Sequence, residues 1–245
     1  MEQTPYTFLT ISQILKIEGV NYLSAFPTTP VIEAAAAAGI KPVICRQERV
    51  GVGIADGYAR TTRGNPPGVF AMQYGPGAEN AYAGVATAYA DSVPVLFLPL
   101  GHPLKRDRVF PHFSSVDSFK TITKSVEQIN EPDRVIDTMR RAFSRLKNGR
   151  PGPVMVEIPS DIANAELDSN ILTAYSSSDP VLSSANPSDV MASAKLLLEN
   201  NIEVINPATE KSCAVISLGG KEDINDAVLA AKEAFRTWGF STKEE

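Results

Sequence analysis

Along the first 160 residues, apolar positions alternate between helical spacing and short β-branched runs. The stretch "TISQILKIEG" carries a helical apolar pattern that stops at Gly19, and "NYLSAF" predicts a strand. A helix follows in "TPVIEAAAAAG", with Thr29 as N-cap, Pro30 at its first position and Gly39 beyond its end. The run "KPVIC" is β-branched at Val43 and Ile44, and Val52, Ala55 and Ala59 then recur at helical spacing over about 47–60. Next come the strand "GVFAM", a helix over about 78–91, the strand "PVLFLPL", a loop rich in Phe and His, and the run "FKTITKSVEQ". A helix over about 132–147 and the strand "PVMVEIP" complete the series. Strands separated by helices predict an α/β fold, a doubly wound parallel sheet with helices on both faces, over residues 1–165.

The pattern then changes. Residues 166–187 are Ser-rich with two prolines and predict a surface linker. Residues 188–201 restart a helix, with Ser188 as N-cap and Val190, Ala194 and Leu197 as its stripe. Residues 202–245 predict a small C-terminal hairpin-and-helix appendage, whose helix carries Ile224, Val228, Ala231 and Phe235 on one side.

Composition narrows the classes. With 43% apolar residues, a chain of 245 can bury a sizeable core. The balance of 28 acidic against 23 basic residues, without a Lys/Arg run, argues against nucleic acid or an anionic membrane as partner. No stretch reaches the ~18 apolar residues of a membrane span. The start "MEQTPYTFLT" has no basic and apolar secretory pattern, so a cytoplasmic location is expected. Cys45 and Cys213 lie far apart without a CxxC, which predicts buried free thiols rather than a disulfide or a zinc site.

Two stretches offer chemistry. Glu48 interrupts small and apolar residues at a strand-to-helix joint, where α/β sheets usually bind ligands. An acidic residue at a helix start is also favoured by the helix dipole alone, so both roles stay open on this ground. In "YGPGAEN", Gly75 and Gly77 remove Cβ atoms ahead of a helix. The stretch fits the dinucleotide fingerprint only to its second glycine, since Asn80 holds the third position.

Four segments, "EGVNYLSAFP", "RQERVGVGIADGYARTTRG", "YGPGAENAYAGVATAYADSVPVLFL" and "GRPGPVMVEIPSDI", stand in an order and spacing that give the chain a specific likeness. Over residues 5–165 it resembles the N-terminal, pyrimidine-binding domain of thiamine-diphosphate enzymes of the acetolactate synthase and pyruvate oxidase group. That resemblance implies that Glu48 is catalytic: it hydrogen-bonds N1′ of the cofactor's aminopyrimidine and favours the imino tautomer that takes the proton from thiazolium C2. It also implies that Pro27, Tyr74, Gly75, Gly77 and Asn80 flank the ring. In the loop "PHFSSVD" Ser114 stands where many members carry a substrate-side Gln, and His112 beside it is a candidate proton donor.

The family holds the diphosphate and Mg²⁺ with Gly-Asp-Gly followed by Asn-Asn. Here Asn200 and Asn201 have no Gly-Asp-Gly before them, so no metal ligands are expected. Residues 188–201 resemble the start of the family's middle domain, and residues 202–245 resemble the N-terminal arm of aldehyde dehydrogenases. The leading expectation is the pyrimidine half of a 2-oxo acid decarboxylase or carboligase site. Thiamine diphosphate is its cofactor, and Mg²⁺ enters only with a partner chain. That partner is a second copy in a homodimer or a chain carrying the diphosphate-binding domain, and small residues on the helices around Gly51 and Gly84 would permit such association. The alternatives are a catalytically inert remnant and a fragment of an NAD-dependent aldehyde dehydrogenase.

Overall fold

A computed structural model describes residues 5–177, 179–181, 185–199, 201–206 and 209–217, together with 222, 225, 226 and 229. The chain divides into two compact units, Met1–Leu182 and Ser183–Glu245. Among the described residues, no helix is long and apolar enough to cross a membrane.

In the first unit the strands are β1 (Tyr22–Phe26), β2 (Lys41–Ile44), β3 (Gly68–Met72), β4 (Val95–Gly101), β5 (Ser125–Gln128) and β6 (Val154–Pro159). They form one sheet in the order β2-β1-β3-β4-β6-β5, and every pair is parallel. The helices are α1 (Thr7–Ile17), α2 (Thr29–Ala37), α3 (Glu48–Thr61), α4 (Pro76–Ala90), α5 (Ser115–Phe119), α6 (Val135–Lys147) and α7 (Ser160–Ala163). Because successive side chains of a strand face opposite ways, the core splits across the sheet. Val69, Leu96 and Val154 form a row on the side of α1, α2 and α6, and Phe70, Phe97 and Met155 form a row on the side of α3, α4 and α5. Strands covered on both faces read as unbroken buried runs, as β3 and β6 do. The winding reverses between β1 and β3, so their carboxyl ends border the crevice where such sheets take ligands.

The expected alternation is therefore present, with local differences. At α2 the cap is Thr28 rather than Thr29. α4 starts at Pro76, ahead of the expected Ala78, because Gly75 at φ +58° turns the chain straight into it. Of "FKTITKSVEQ" only β5 joins the sheet, and α5, which the pattern did not show, precedes it.

Residues 166–177, expected as a surface linker, return to the sheet unit. Glu166 bridges Tyr6, and the Leu167 N–H donates to the Pro5 carbonyl at 2.9 Å. Tyr175 is buried and its hydroxyl donates to Glu18 Oε1 at 2.6 Å. Ser177 Oγ, at 2.9 Å, and Lys147 Nζ, at 2.6 Å, hold the other Glu18 oxygen. A carboxylate buried at the end of α1 requires such partners, and the returning chain supplies two of them.

Several of the small residues of α3 and α4 are packed inside the unit. A Cβ at Gly51 would run into the Phe70 ring and stand 2.8 Å from Cys45 Sγ, and one at Gly84 would stand 2.5 Å from Val52 Cγ1. Ala55, Ala59, Ala81 and Ala88 are buried. Gly53 and Gly57, by contrast, have open space where a Cβ would go.

In the second unit α8 (Pro187–Glu199) is followed by the expected hairpin of β7 (Asn201–Asn206) and β8 (Lys211–Ser217), paired antiparallel. Asn186 Oδ1, accepting from the Ser188 N–H at 3.0 Å, takes the capping role expected of Ser188. Ile224, Val228, Ala231 and Phe235, expected on one side of the last helix, lie outside the described residues.

Two glycines of α3 test how it is seated. Gly51→Ala should destabilise the chain by roughly 1–3 kcal/mol through overpacking. Gly53→Ala should stabilise it by up to about 1 kcal/mol through helix propensity. Urea midpoints measured side by side check the contrast, and equal shifts would contradict it.

Candidate functional site

Three adjacent strands deliver the crevice. β2 leads through Cys45 into α3, whose first residue is Glu48; β1 leads to Pro27 and Thr28; β3 leads to Tyr74 and the Gly75–Pro76–Gly77 turn. Glu48 is only 7% exposed, and its carboxyl reaches across to α4. Asn80 Nδ2 donates to Glu48 Oε2 at 2.7 Å. The other oxygen, Oε1, lies over Gly77, where a Cβ would stand 3.1 Å from it. Glu48, Gly77 and Asn80 are thus brought together, with Gly75 forming the turn that places them. The Asn80 amide is engaged by Glu48. Pro27 is exposed directly after β1.

Cys45 is a buried free thiol that donates to the Ala25 carbonyl at 3.2 Å. Burial pushes it up from the ordinary thiol range, with the Glu48 charge adding to the shift, which suits a packing group better than a nucleophile.

His112 and Ser114 lie elsewhere, in a cleft of about 550 Å³ at the carboxyl ends of β5 and β6 that Glu48 does not line. An aromatic stack runs toward the turn after β3: the His112 ring is centred 5.1 Å from His102, and His102 4.4 Å from Tyr74. His112 Nε2 stands 3.4 Å from Asp107 Oδ1. Burial holds His102 below the usual imidazole range, and His112 and Arg106 add to that. Ser114 caps α5, donating to Asp117 Oδ2 at 3.0 Å and accepting from the Asp117 N–H at 3.1 Å, so its hydroxyl is already engaged.

The sequence pattern missed Glu157 and His102. Glu157 is 6% exposed at the end of β6, where Gln128 Nε2 donates to Oε1 at 2.5 Å and Ser115 Oγ donates to Oε2. Burial pushes its carboxyl up to about 7, Asp107 and Asp117 push the same way, and the Gln128 contact opposes them. The signal was the one that exposed Glu48, a lone charge in an apolar run, here "PVMVEIP". For His102 the signal was rarity, since the chain has two histidines and both fall in this stack. Among the described residues, no group of three or more His, Cys, Asp or Glu side chains could hold a metal ion.

Residues 9–127 match the thiamine pyrophosphate enzyme family's N-terminal TPP binding domain, and residues 195–245 match the aldehyde dehydrogenase family. The probable acetolactate synthase large subunit of Methanocaldococcus jannaschii is 35% identical over 163 residues, covering 64% of this chain and 27% of the relative. The acetolactate synthase large subunit of Haemophilus influenzae is 33% identical over 161 residues, covering 63% and 28%. Acetolactate synthase isozyme 3 large subunit of Escherichia coli is 33% identical over 153 residues, covering 60% and 26%. The chain therefore spans little more than a quarter of the length of these relatives.

The Glu157 carboxyl gives stability a pH dependence whose sign follows from its position. Its folded value, about 7, lies above the ordinary 4.5, so its contribution is fully present below 4.5 and is lost as pH rises through 7. The slope between those values is about 1.4 kcal/mol per pH unit. Glu157→Gln should remove that slope and leave a variant more stable than the parent at pH 8. Urea titrations from pH 4.5 to 8 measure it, and parallel curves for the two proteins would refute it.

Proposed function

From the thiamine pyrophosphate enzyme domain at residues 9–127, we propose that this chain provides the aminopyrimidine half of a thiamine diphosphate site, with Glu48 as its catalytic residue. The observation that carries the proposal is the buried Glu48 carboxyl, held at Oε2 by Asn80 with Oε1 presented over a residue that has no side chain. A flat heteroaromatic ring fits that arrangement, because Gly75 and Gly77 leave its approach clear and a carboxyl oxygen stands ready to share a proton with a ring nitrogen. When bound, thiamine diphosphate supplies the electron sink for breaking or forming a bond next to a carbonyl.

The chain's own residues divide the remaining work. Glu48 holds and returns a proton at the ring nitrogen. Asn80 keeps the carboxyl from rotating, and Pro27 and Tyr74 border the ring. His112, in the neighbouring cleft, serves the substrate side, for which likeness to acetolactate synthases supports a small 2-oxo acid undergoing decarboxylation or carboligation. The 245 residues contain no Gly-Asp-Gly, and the proposal assigns the ligands of Mg²⁺ and the diphosphate to a partner, either a second copy within a homodimer or a chain carrying the diphosphate-binding domain.

Two other functions compete. One is an inert remnant of the same domain. The other, a dehydrogenase fragment, draws only on residues 195–245, and Cys213 there lies within β8.

Calorimetric titration with thiamine diphosphate and Mg²⁺, paired with a pyruvate-consumption assay, separates these. The chain alone should bind weakly without turnover. With a chain bearing the diphosphate-binding domain, binding and turnover should appear together, and Glu48→Gln should then lower turnover by roughly 100-fold or more. Tight binding with turnover by the chain alone would overturn the assignment of the metal half to a partner. No binding under either condition would favour the inert remnant, and binding of NAD instead would favour the dehydrogenase fragment.

A further inference from the structure

Thr28 stands at the carboxyl end of β1, the middle one of the three strands whose ends carry Pro27, Glu48 and the Tyr74–Gly77 turn. As the cap of α2, its hydroxyl would ordinarily accept an N–H from the first helical turn. That bond is not made. Pro30, early in the helix, has no N–H to offer, and the Ile32 N–H goes to the Thr28 carbonyl at 3.1 Å. Nor does water compensate the hydroxyl, because Thr28 is 2% exposed and its Oγ1 is buried without a hydrogen-bond partner. A buried hydroxyl left in that state is destabilising. Among the described residues, Thr10 Oγ1, Ser125 Oγ and His112 Nδ1 are also buried without partners, but they lie inside α1, inside β5 and in the second cleft. Thr28 alone of these stands at the reversal of winding between β1 and β3.

We propose that Thr28 Oγ1 is a second polar contact, beside Glu48, for a nitrogen heteroaromatic ring carrying an amino group. The proposal rests on the function proposed for Glu48 and adds to it a residue that the resemblance did not assign. A hydroxyl can donate to a ring nitrogen or accept from an amino group, so it complements a carboxyl, which in its ionised form only accepts. One step of χ1 between staggered rotamers is enough to re-aim it. The ligand-free chain thereby carries a polar group whose partner arrives with the ring, and the cost of the orphan is returned on binding.

Thiamine, which has the ring but no diphosphate, is the probe, titrated into the full chain and followed by NMR line broadening. Thr28→Val keeps the shape and removes the hydroxyl, and Thr28→Ser keeps the hydroxyl. Thr28→Val should raise the urea midpoint of the free chain and weaken thiamine binding roughly fivefold to tenfold, whereas Thr28→Ser should bind within about twofold of the parent. Unchanged affinity in Thr28→Val, with stability either raised or lowered, would overturn the contact. If Glu48→Gln weakens thiamine and Thr28→Val does not, the Thr28 contact alone fails. If the parent chain shows no interaction with thiamine, the Thr28 contact fails, while the function proposed for Glu48 fails only if thiamine diphosphate and Mg²⁺ also show no binding in the presence of a chain bearing the diphosphate-binding domain.

Discussion

The hydrogen bond from Asn80 to Glu48 spans two helices, and it exists only because α3 and α4 approach more closely than ordinary side chains allow. Gly84 leaves room for Val52, and Gly51 leaves room for the Phe70 ring beneath α3. The seating of α3 on the sheet, the distance between the two helices and the aim of the carboxyl are therefore one constraint. The same packing removes water from Glu48, so its remaining polar partners come from the chain or from a ligand.

Charges at the carboxyl ends of the strands are handled in two ways. Glu48 is buried at a helix start with an amide partner on one oxygen and the other lying over Gly77. Glu157 is buried at a strand end with Ser115 and Gln128 as partners and two aspartates near enough to oppose its ionisation. One arrangement orients a carboxyl, and the other holds a proton near neutral pH. Between them the Tyr74, His102 and His112 rings stack, so the turn after β3 and the loop after β4 are in contact. At the opposite end of α1, Glu18 is a third buried carboxylate, and it recruits residues 175–177 back to the domain.

Much of the fold was legible in the sequence because its signals are local. β-branched runs, a glycine after a helix and a proline near a helix start report the backbone of the residues that carry them, and the helices and strands up to Pro159, α5 excepted, were found this way. The elements that were misjudged depend on distant partners. Residues 166–177 look like a solvated linker because their Ser and Asp content is polar, yet Tyr175 is drawn in by Glu18, 157 positions away. α5 was not seen because five residues are too few to show a period. The cap of α8 was placed two residues late because a cap depends on which side chain has a free N–H within reach, and Asn186 reaches the Ser188 N–H, whereas at α2 the boundary falls at Thr28 without any side-chain capping bond.

The order of elements, the parallel sheet they imply and the singularity of Glu48 were determined by the sequence, since hydrophobic period and turn chemistry act over a few residues. Which oxygen of Glu48 is tied and which is free, that Asn80 is its partner, that Ser114 is a cap while His112 joins a stack, and that Thr28 is left without a partner were decided by tertiary structure alone. Each of these is a distance between side chains brought together from separate strand ends, and such a distance is set only once both faces of the sheet are packed.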